Sequence, residues 1–248
     1  SEANDLPPDT RSSNGLWQTP SDLNSQTKNI IKLFQDEAAG VASFVKKQCM
    51  HCVDPACVRG CPFAALIKDE RGIVQWRPER CIGCRYCEIA CPYRVPKFEW
   101  DRFNPRIVKC EFCRHLLGKT KDEPACCEVC PTGAVIYGTR EELLADAKQR
   151  LAAAPGKYYE NRIYGEDDVG GLQVLYLSHV PFEKIGLPEL GPTSIPDYAG
   201  RTHRFLTKFL VAPSLLWVFF TALIRKNWKH HDEEARRIEA EEGLRDQL

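Results

Sequence analysis

Hydrophobic and polar positions divide the chain into segments of different periodicity. A polar stretch rich in Ser, Asn and Thr precedes an apolar run at 30–34, which predicts a short helix or strand. Two apolar stretches within 64–76, AALI and GIVQW, flank the turn-forming sequence DERG and predict a small hairpin. The run LQVLYL at 172–177 is typical of a strand.

A helix is predicted over 139–154. Thr139 and Glu142 have the spacing of a capping box, and Pro155-Gly156 ends the pattern. One face of this helix carries Leu143, Leu144, Ala147 and Leu151. We therefore expect the helix to pack on the preceding part of the chain, which contains all the cysteines.

A transmembrane helix is predicted over 205–224. This segment, FLTKFLVAPSLLWVFFTALI, has 20 residues and a single charge, Lys208, one turn from its start. That length of predominantly apolar chain is sufficient to cross a bilayer, and a lysine so near the end can extend its ammonium group to the interface. The alternative is a buried core helix. The sequence after the span predicts a solvated, charged helix.

Composition adds one informative feature, the cysteines. Lys plus Arg and Asp plus Glu number 34 each, so no net field favours nucleic acid or an acidic substrate. With 17 Pro, 16 Gly and a mean hydropathy of −0.38, a large hydrophobic core is not expected. All 13 Cys lie between Cys49 and Cys130, and an odd number grouped in C-x-x-C units does not suit a disulfide framework.

The cysteines form an imperfect repeat with the spacing of iron–sulfur ligands. The repeat reads CMHCVDPACVRGCP from Cys49, CIGCRYCEIACP from Cys81, and CEFC followed by CCEVCP from Cys110. In a C-x2-C-x2-C-x3-C-P run the fourth cysteine ligates the other cluster of a pair. One 4Fe–4S cluster is thus predicted on Cys49, Cys52, Cys57 and Cys91, and a second on Cys81, Cys84, Cys87 and Cys61.

Zinc is the alternative for these cysteines, since C-x2-C pairs also build zinc ribbons. A zinc ribbon has no use for a C-x2-C-x2-C trio and does not favour proline after its fourth ligand, whereas Pro follows Cys61, Cys91 and Cys130. The alternative carries more weight for Cys110, Cys113, Cys126 and Cys130. Cys127 does not fit the spacing and is interpreted as a packing residue, and His51 and His115 as exposed polar neighbours of ligands.

The motifs resemble a known family. The two cysteine runs, the segment CEFC to CCEVCPTGAVIYGTREEL and the C-terminal apolar span are similar to the ferredoxin-type subunits of membrane-bound oxidoreductases. The sequence most resembles the iron–sulfur subunit of hydrogenase-2-type [NiFe] hydrogenases, including GGLQVLYLSHVPFEKIGLPEL outside the cluster motifs, and it is related to the formate dehydrogenase β subunit. The resemblance implies an α+β fold with tandem bacterial-ferredoxin-like domains and a C-terminal single transmembrane helix.

The resemblance also implies four clusters in the intact subunit. Such subunits carry four cysteine groups, and this sequence shows three. Cys110, Cys113 and Cys126 would then hold a third 4Fe–4S cluster whose fourth ligand is expected upstream of Ser1, and Cys130 would complete a fourth cluster. The alternative is that the four residues of this group close around one cluster or one zinc ion.

The predicted organisation has five parts. They are an N-terminal extension, expected to be incomplete, at 1–44; a ferredoxin-like iron–sulfur region at 45–138; a helix plus an extended partner-binding arm at 139–204; the transmembrane helix at 205–224; and a charged tail at 225–248.

The predicted function is electron relay without substrate chemistry. The sequence shows no nucleophile–base pair, phosphate-binding glycine loop or catalytic metal signature, so catalysis would belong to a partner chain. The family implies a hydrogen-oxidising [NiFe] hydrogenase with catalytic and small iron–sulfur subunits, and an integral quinone-reactive subunit. It places the protein in the inner membrane with its clusters on the periplasmic side. A respiratory formate dehydrogenase is the alternative complex, and a zinc-stabilised, membrane-tethered interaction module the alternative of another class.

Overall fold

The computed structural model describes residues 2–6, 20–38, 40–100 and 105–245. It divides into two compact units, Ser1–Pro196 and Asp197–Leu248. The first unit contains three two-stranded antiparallel sheets and several short helices, and the second is helical. The predicted N-terminal extension lies partly outside the described residues, at 1, 7–19 and 39.

Three hairpin-like pairs form the sheets of the first unit. Strands β1 (Ile30–Asp36) and β2 (Val41–Lys47) pair from Ile30 with Lys47 to Asp36 with Val41. The predicted hairpin is confirmed as β3 (Leu66–Lys68) and β4 (Val74–Trp76). The third pair is β5 (Lys97–Phe98) with β6 (Ile107–Val108).

The turn between β3 and β4 has a clear local cause. Asp69 accepts a hydrogen bond at Oδ1 from the Ile73 amide at 2.8 Å, and its backbone carbonyl accepts from the Gly72 amide at 3.0 Å. Gly72 has a φ of 81°, in the left-handed region that glycine enters without steric cost. The turn residues therefore favour the hairpin locally.

Three short helices contain cysteines: the first two contain one each, and the third contains two. These are α1 (Ala56–Arg59), α2 (Tyr86–Ala90) and α3 (Ala125–Glu128). The longer α4 (Arg140–Ala153) follows, and its capping box is confirmed: Thr139 accepts from the Glu142 amide while Glu142 accepts from the Thr139 amide.

The segment 157–196 packs onto the cysteine-bearing region of its own unit. Tyr164 and Leu172 are fully buried in the same core as Cys49 and Cys110. The expectation of a strand at 172–177 is wrong, since only Tyr176 forms a β-bridge, with Tyr164. The amides of residues 173 and 174 are directed instead to the Met50 carbonyl, so tertiary contacts override the local β propensity.

The second unit is a helical segment with exposed apolar side chains. Helix α5 (Ile195–Leu206) runs into a π-helical stretch (Thr207–Val211) and then α6 (Ala212–Arg245). Across the described ranges, no helix of the structure combines the length and apolar character needed to cross a membrane. The predicted transmembrane helix at 205–224 is therefore not confirmed.

Candidate iron–sulfur cluster sites

The three C-x-x-C loops share one backbone conformation. The residue before the second cysteine of each loop has a positive φ: 48° at His51, 71° at Gly83 and 50° at Phe112. A left-handed conformation is costly for a residue with a β-carbon, so it persists only where the surrounding structure requires it. Its recurrence in three different sequences indicates that the three loops are structurally equivalent.

The Cys-Pro segments repeat in the same way. The third residue after each of these cysteines also has a positive φ: 50° at Ala64, 50° at Arg94 and 62° at Gly133. Each donates its amide hydrogen to the carbonyl of the cysteine three positions earlier, at 3.3, 3.0 and 3.2 Å in that order. The fourth cysteine of every group thus leaves its short helix through the same turn.

The thiols of the first predicted set influence one another. Burial raises the pKa of the Cys52 thiol to about 12, and negative charge on Cys49 and Cys91 raises it further. Burial likewise raises the pKa of the Cys57 thiol, again with contributions from Cys49 and Cys91. Cys91 belongs to the run that begins at Cys81, yet its charge raises the pKa of two thiols in the run that begins at Cys49.

The second predicted set shows the reciprocal arrangement. Burial raises the pKa of the Cys87 thiol to about 12, and the neighbours that add to it are Cys81, Cys84 and Cys61. Cys61 comes from the first run. The structure thus brings together the residues of both predicted cross-pairs, and the ligation itself stays a prediction.

The donor sets fit 4Fe–4S clusters chemically. Each set offers four thiols, which is the ligand type and number that such a cluster takes. Among the residues that the structure describes, no three metal-binding side chains converge closely enough to hold one metal ion. A cluster binds one thiolate at each of its irons, so its ligands need not share an ion.

Cysteines of the two sets and of the third group are buried in two hydrophobic clusters. Cys57 of the first set and Cys87 of the second are buried in one hydrophobic cluster with Val74. Cys49 of the first set and Cys110 of the third group are buried in the other core. The first set therefore shares one apolar core with the second set and another with the third group.

Cys126 has the lowest thiol pKa given for the third group. The neighbouring Cys127 thiol and the Lys46 ammonium group lower its pKa to about 5, against the effect of burial. Lys46 Nζ lies 2.8 Å from Cys126 Sγ. Hydrogen bonding to Cys126 raises the pKa of the Cys127 thiol instead, so the two adjacent cysteines differ in character.

The other cysteines of this group have different environments. Burial raises the pKa of the Cys110 thiol to about 12. Cys113 is half-buried and has a positive φ of 52°. Hydrogen bonding from the Val135 backbone amide and the Thr132 hydroxyl lowers the pKa of the half-buried Cys130 thiol to about 7.

His51 is buried, so its interpretation as an exposed neighbour is wrong. Its side chain is 0 % exposed, and Nδ1 accepts a hydrogen bond from the Val74 amide at 2.9 Å. The ring stacks on Phe112 at a centroid distance of 3.9 Å. Burial lowers the pKa of the imidazole well below its ordinary value, so the ring is neutral. His115 is exposed, as expected, and its Nε2 donates to the Ala3 carbonyl at 2.8 Å.

Sequence reasoning missed two buried lysines beside the cysteines. Lys46 is 9 % exposed and Lys109 is 3 % exposed. Lysine is almost never fully buried without a negative partner, so both positions are unusual. The available signal was their place in the sequence, since Lys109 directly precedes Cys110 and Lys46 lies three residues before Cys49.

Comparison with known proteins identifies an iron–sulfur family. A family model described as a 4Fe–4S dicluster domain matches residues 41–140. The chain is 40 % identical over 250 residues to the hydrogenase-2 operon protein HybA of Escherichia coli O157:H7, covering 87 % of this chain and 76 % of that protein.

Formate dehydrogenase subunits are also similar. The nitrate-inducible formate dehydrogenase iron–sulfur subunit of Escherichia coli K12 is 37 % identical over 185 residues, with 72 % of this chain and 61 % of the relative covered. The formate dehydrogenase iron–sulfur subunit of Haemophilus influenzae is 36 % identical over 174 residues, covering 66 % of this chain and 53 % of that protein.

Proposed function

Because this chain belongs to the family of 4Fe–4S iron–sulfur subunits that includes the hydrogenase-2 operon protein HybA, we propose that it relays electrons between a catalytic hydrogenase subunit and a quinone-linked membrane subunit. The chain itself performs no substrate chemistry in this proposal. The observation that carries it is that Cys91 influences the pKa of the Cys52 thiol and Cys61 that of the Cys87 thiol, which supports the predicted exchange of these two cysteines between the runs. Such an exchange sets two cluster sites side by side, which a relay requires.

The cysteines would supply the cluster ligands, and the hydrophobic residues around them bury several of those thiols. A 4Fe–4S cluster, when bound, accepts and releases one electron at a time. Two of the thiols that would hold these clusters, Cys57 and Cys87, are buried in one hydrophobic cluster. Cys49 and Cys110 extend the same arrangement to the third group. The first set thus shares an apolar core with each of the other two.

We also propose that the C-terminal segment holds the protein at the inner membrane, with the cluster region on the periplasmic side. Support comes from the apolar residues of α6, which are exposed rather than packed in a core: Leu215 is 66 % exposed, Trp217 70 % and Phe219 58 %. Apolar side chains exposed over several turns are suited to contact with lipid. The periplasmic placement rests on the resemblance to the family.

The fourth cluster belongs to the proposal as well. Cys130 makes the same turn as Cys61 and Cys91. Each of those two residues is a predicted ligand of a cluster whose other cysteines lie in a different run. By the same logic, Cys130 would complete a cluster with three cysteines of a fourth group, and Cys110, Cys113 and Cys126 would take their fourth ligand from that group.

Purification of the intact subunit from membranes of its native host tests this function. We expect a brown protein that copurifies with hydrogenase subunits and whose clusters are reduced under hydrogen, as followed by EPR. Reduction by formate but not by hydrogen, with a formate dehydrogenase subunit copurifying, would assign the chain to the alternative complex. A colourless protein that contains zinc would overturn the relay.

A further inference from the structure

Helix α5 and the π-helical stretch that follows it carry two stripes of side chains. The aromatic stripe consists of residues with helical spacing, Tyr198, Phe205 and Phe209. The basic stripe also has helical spacing and consists of Arg201, Arg204 and Lys208. At about 3.6 residues per turn, the basic stripe lies beside the aromatic stripe rather than opposite to it. The segment is therefore an amphipathic helix with cations along the edge of its apolar face.

The aromatic stripe is exposed. Tyr198 is 70 % exposed and Phe205 is 60 % exposed. The rings of Phe205 and Phe209 contact each other with their centroids 4.7 Å apart, and Lys208 Nζ lies 5.7 Å from the centroid of the Phe209 ring. Aromatic side chains that are grouped on one exposed face indicate a surface that binds an apolar partner.

The charge of this segment indicates the chemistry of that partner. Residues 195–211 contain the three cations of the basic stripe and one acid, Asp197, which gives a net charge of +2 with histidine neutral. Asp197 Oδ2 lies 3.8 Å from Arg201 Nη2 at an exposed site, where an ion pair contributes little. Guanidinium and ammonium groups both bind phosphate, and arginine can do so through two parallel hydrogen bonds. The segment therefore complements an anionic surface.

A lipid surface fits these features better than a groove on a protein. The apolar exposure continues from α5 into α6, and no charged residue lies between Phe209 and Ile224. The π-helical stretch Thr207–Val211 separates α5 from α6, and a helix can change direction at such an irregularity. A helix with a basic edge beside an apolar face suits the boundary between lipid headgroups and acyl chains.

We propose that α5 lies along the membrane surface and binds anionic lipid, with the basic stripe at the headgroup phosphates and the aromatic stripe at the acyl boundary. Each cation near the surface strengthens this attachment, through an attraction that salt screens. Tyr198 suits this depth because its ring is apolar and its hydroxyl is polar. The inference rests on the proposed membrane attachment and adds the class of lipid that the attachment recognises.

Tryptic cleavage after Arg204 tests this inference in the full-length subunit. The subunit is reconstituted into vesicles of phosphatidylcholine alone and into vesicles that also contain phosphatidylglycerol. Cleavage after Lys157, in an exposed bend, corrects for the orientation of the protein. A 12-residue helix without packing partners is only marginally stable in water, so α5 is cleaved when it leaves the surface. We expect the corrected rate to be about tenfold lower in the anionic vesicles, and the difference to disappear in about 1 M salt.

Two paired substitutions separate the basic stripe from general charge. Arg201→Gln combined with Lys208→Gln keeps the cleavage site at Arg204 and should make the rates in the two kinds of vesicle equal. The matched control combines Arg225→Gln with Lys226→Gln, beyond the apolar segment, and should keep the difference seen in the wild type. All four side chains are exposed, so the substitutions remove charge without disturbing a core.

Three results would contradict the inference. Equal cleavage in both kinds of vesicle, by a wild-type chain that floats with them, would show that α5 does not recognise anionic lipid. Protection that appears only in the assembled complex, whatever the lipid charge, would assign this face to a protein partner. A wild-type chain that floats with neither kind of vesicle would contradict the proposed membrane attachment itself.

Discussion

Lys46 Nζ donates a hydrogen bond to Cys126 Sγ at 2.8 Å, joining residues 80 positions apart. Lys46 lies in β2, and its backbone carbonyl accepts a hydrogen bond from the Tyr176 hydroxyl at 2.6 Å. A hydrogen bond between two charged groups is stronger than one between neutral groups. The contact therefore favours the thiolate form of Cys126, which the predicted ligation requires, and it ties the third cysteine group to the first hairpin.

The first prediction separates Cys126 from its neighbour Cys127. Cys126→Ser should lose one cluster, about four iron atoms, because it removes the thiolate that Lys46 stabilises. Cys127→Ser should retain its iron, because Cys126, and not Cys127, lies four residues before the Cys-Pro cysteine as Cys57 and Cys87 do. Iron analysis of the two purified variants provides the measurement. Iron loss in Cys127→Ser alone would reverse the assignment.

The second prediction concerns the cross-pairing of the first two runs. Cys91→Ser should damage the centre predicted on Cys49, Cys52 and Cys57, because Cys91 acts electrostatically on the Cys52 and Cys57 thiols. Cluster-resolved EPR distinguishes the centres, and Cys61→Ser serves as the matched variant that should damage the other one. Loss of the centre on Cys81, Cys84 and Cys87 in Cys91→Ser, with the first centre intact, would disprove the exchange.

The third prediction tests membrane attachment. Deleting 205–224 should release the cluster-bearing part in soluble form with its clusters, whereas the undeleted chain should resist extraction by alkaline carbonate, since lipid-embedded apolar chain is not freed by high pH. Removing the tail at 229–248 is the control and should leave attachment intact. Carbonate extraction of the undeleted chain would contradict the anchor, and protease access from each side of sealed vesicles reports on the orientation.

The fourth prediction concerns the packing of 157–196 on the cluster region. Tyr164 is fully buried and donates from its hydroxyl to the Pro188 carbonyl at 2.7 Å. Tyr164→Phe leaves that carbonyl without its donor and should lower the free energy of unfolding by about 1–2 kcal/mol. Thermal unfolding of the loaded protein, followed by its visible absorbance, measures the change. The matched control is Tyr198→Phe at a 70 % exposed site, and equal melting temperatures for both variants would contradict the prediction.

The features that depend on near neighbours in the chain followed from the sequence. Cysteine spacing predicted the ligand type, because a ligand loop is built from consecutive residues, and the exchange between runs stays a prediction. The hairpin around Asp69 and Gly72 and the capping box at Thr139 and Glu142 were predicted for the same reason. The hairpin turn and the capping box are each formed by hydrogen bonds within about five residues.

Only the tertiary structure decided which side chains are removed from water. His51, Lys46 and Lys109 are polar residues that local pattern places at the surface, and each is buried by strands and loops distant in sequence. The run at 172–177 has the composition of a strand, yet its amides reach Met50 instead of a neighbouring strand. Desolvation and long-range hydrogen bonding depend on how segments meet, which periodicity along one segment does not encode. The cysteines and their spacing could be identified from the sequence alone. The burial of Lys46 and Lys109 beside them is a result of tertiary packing.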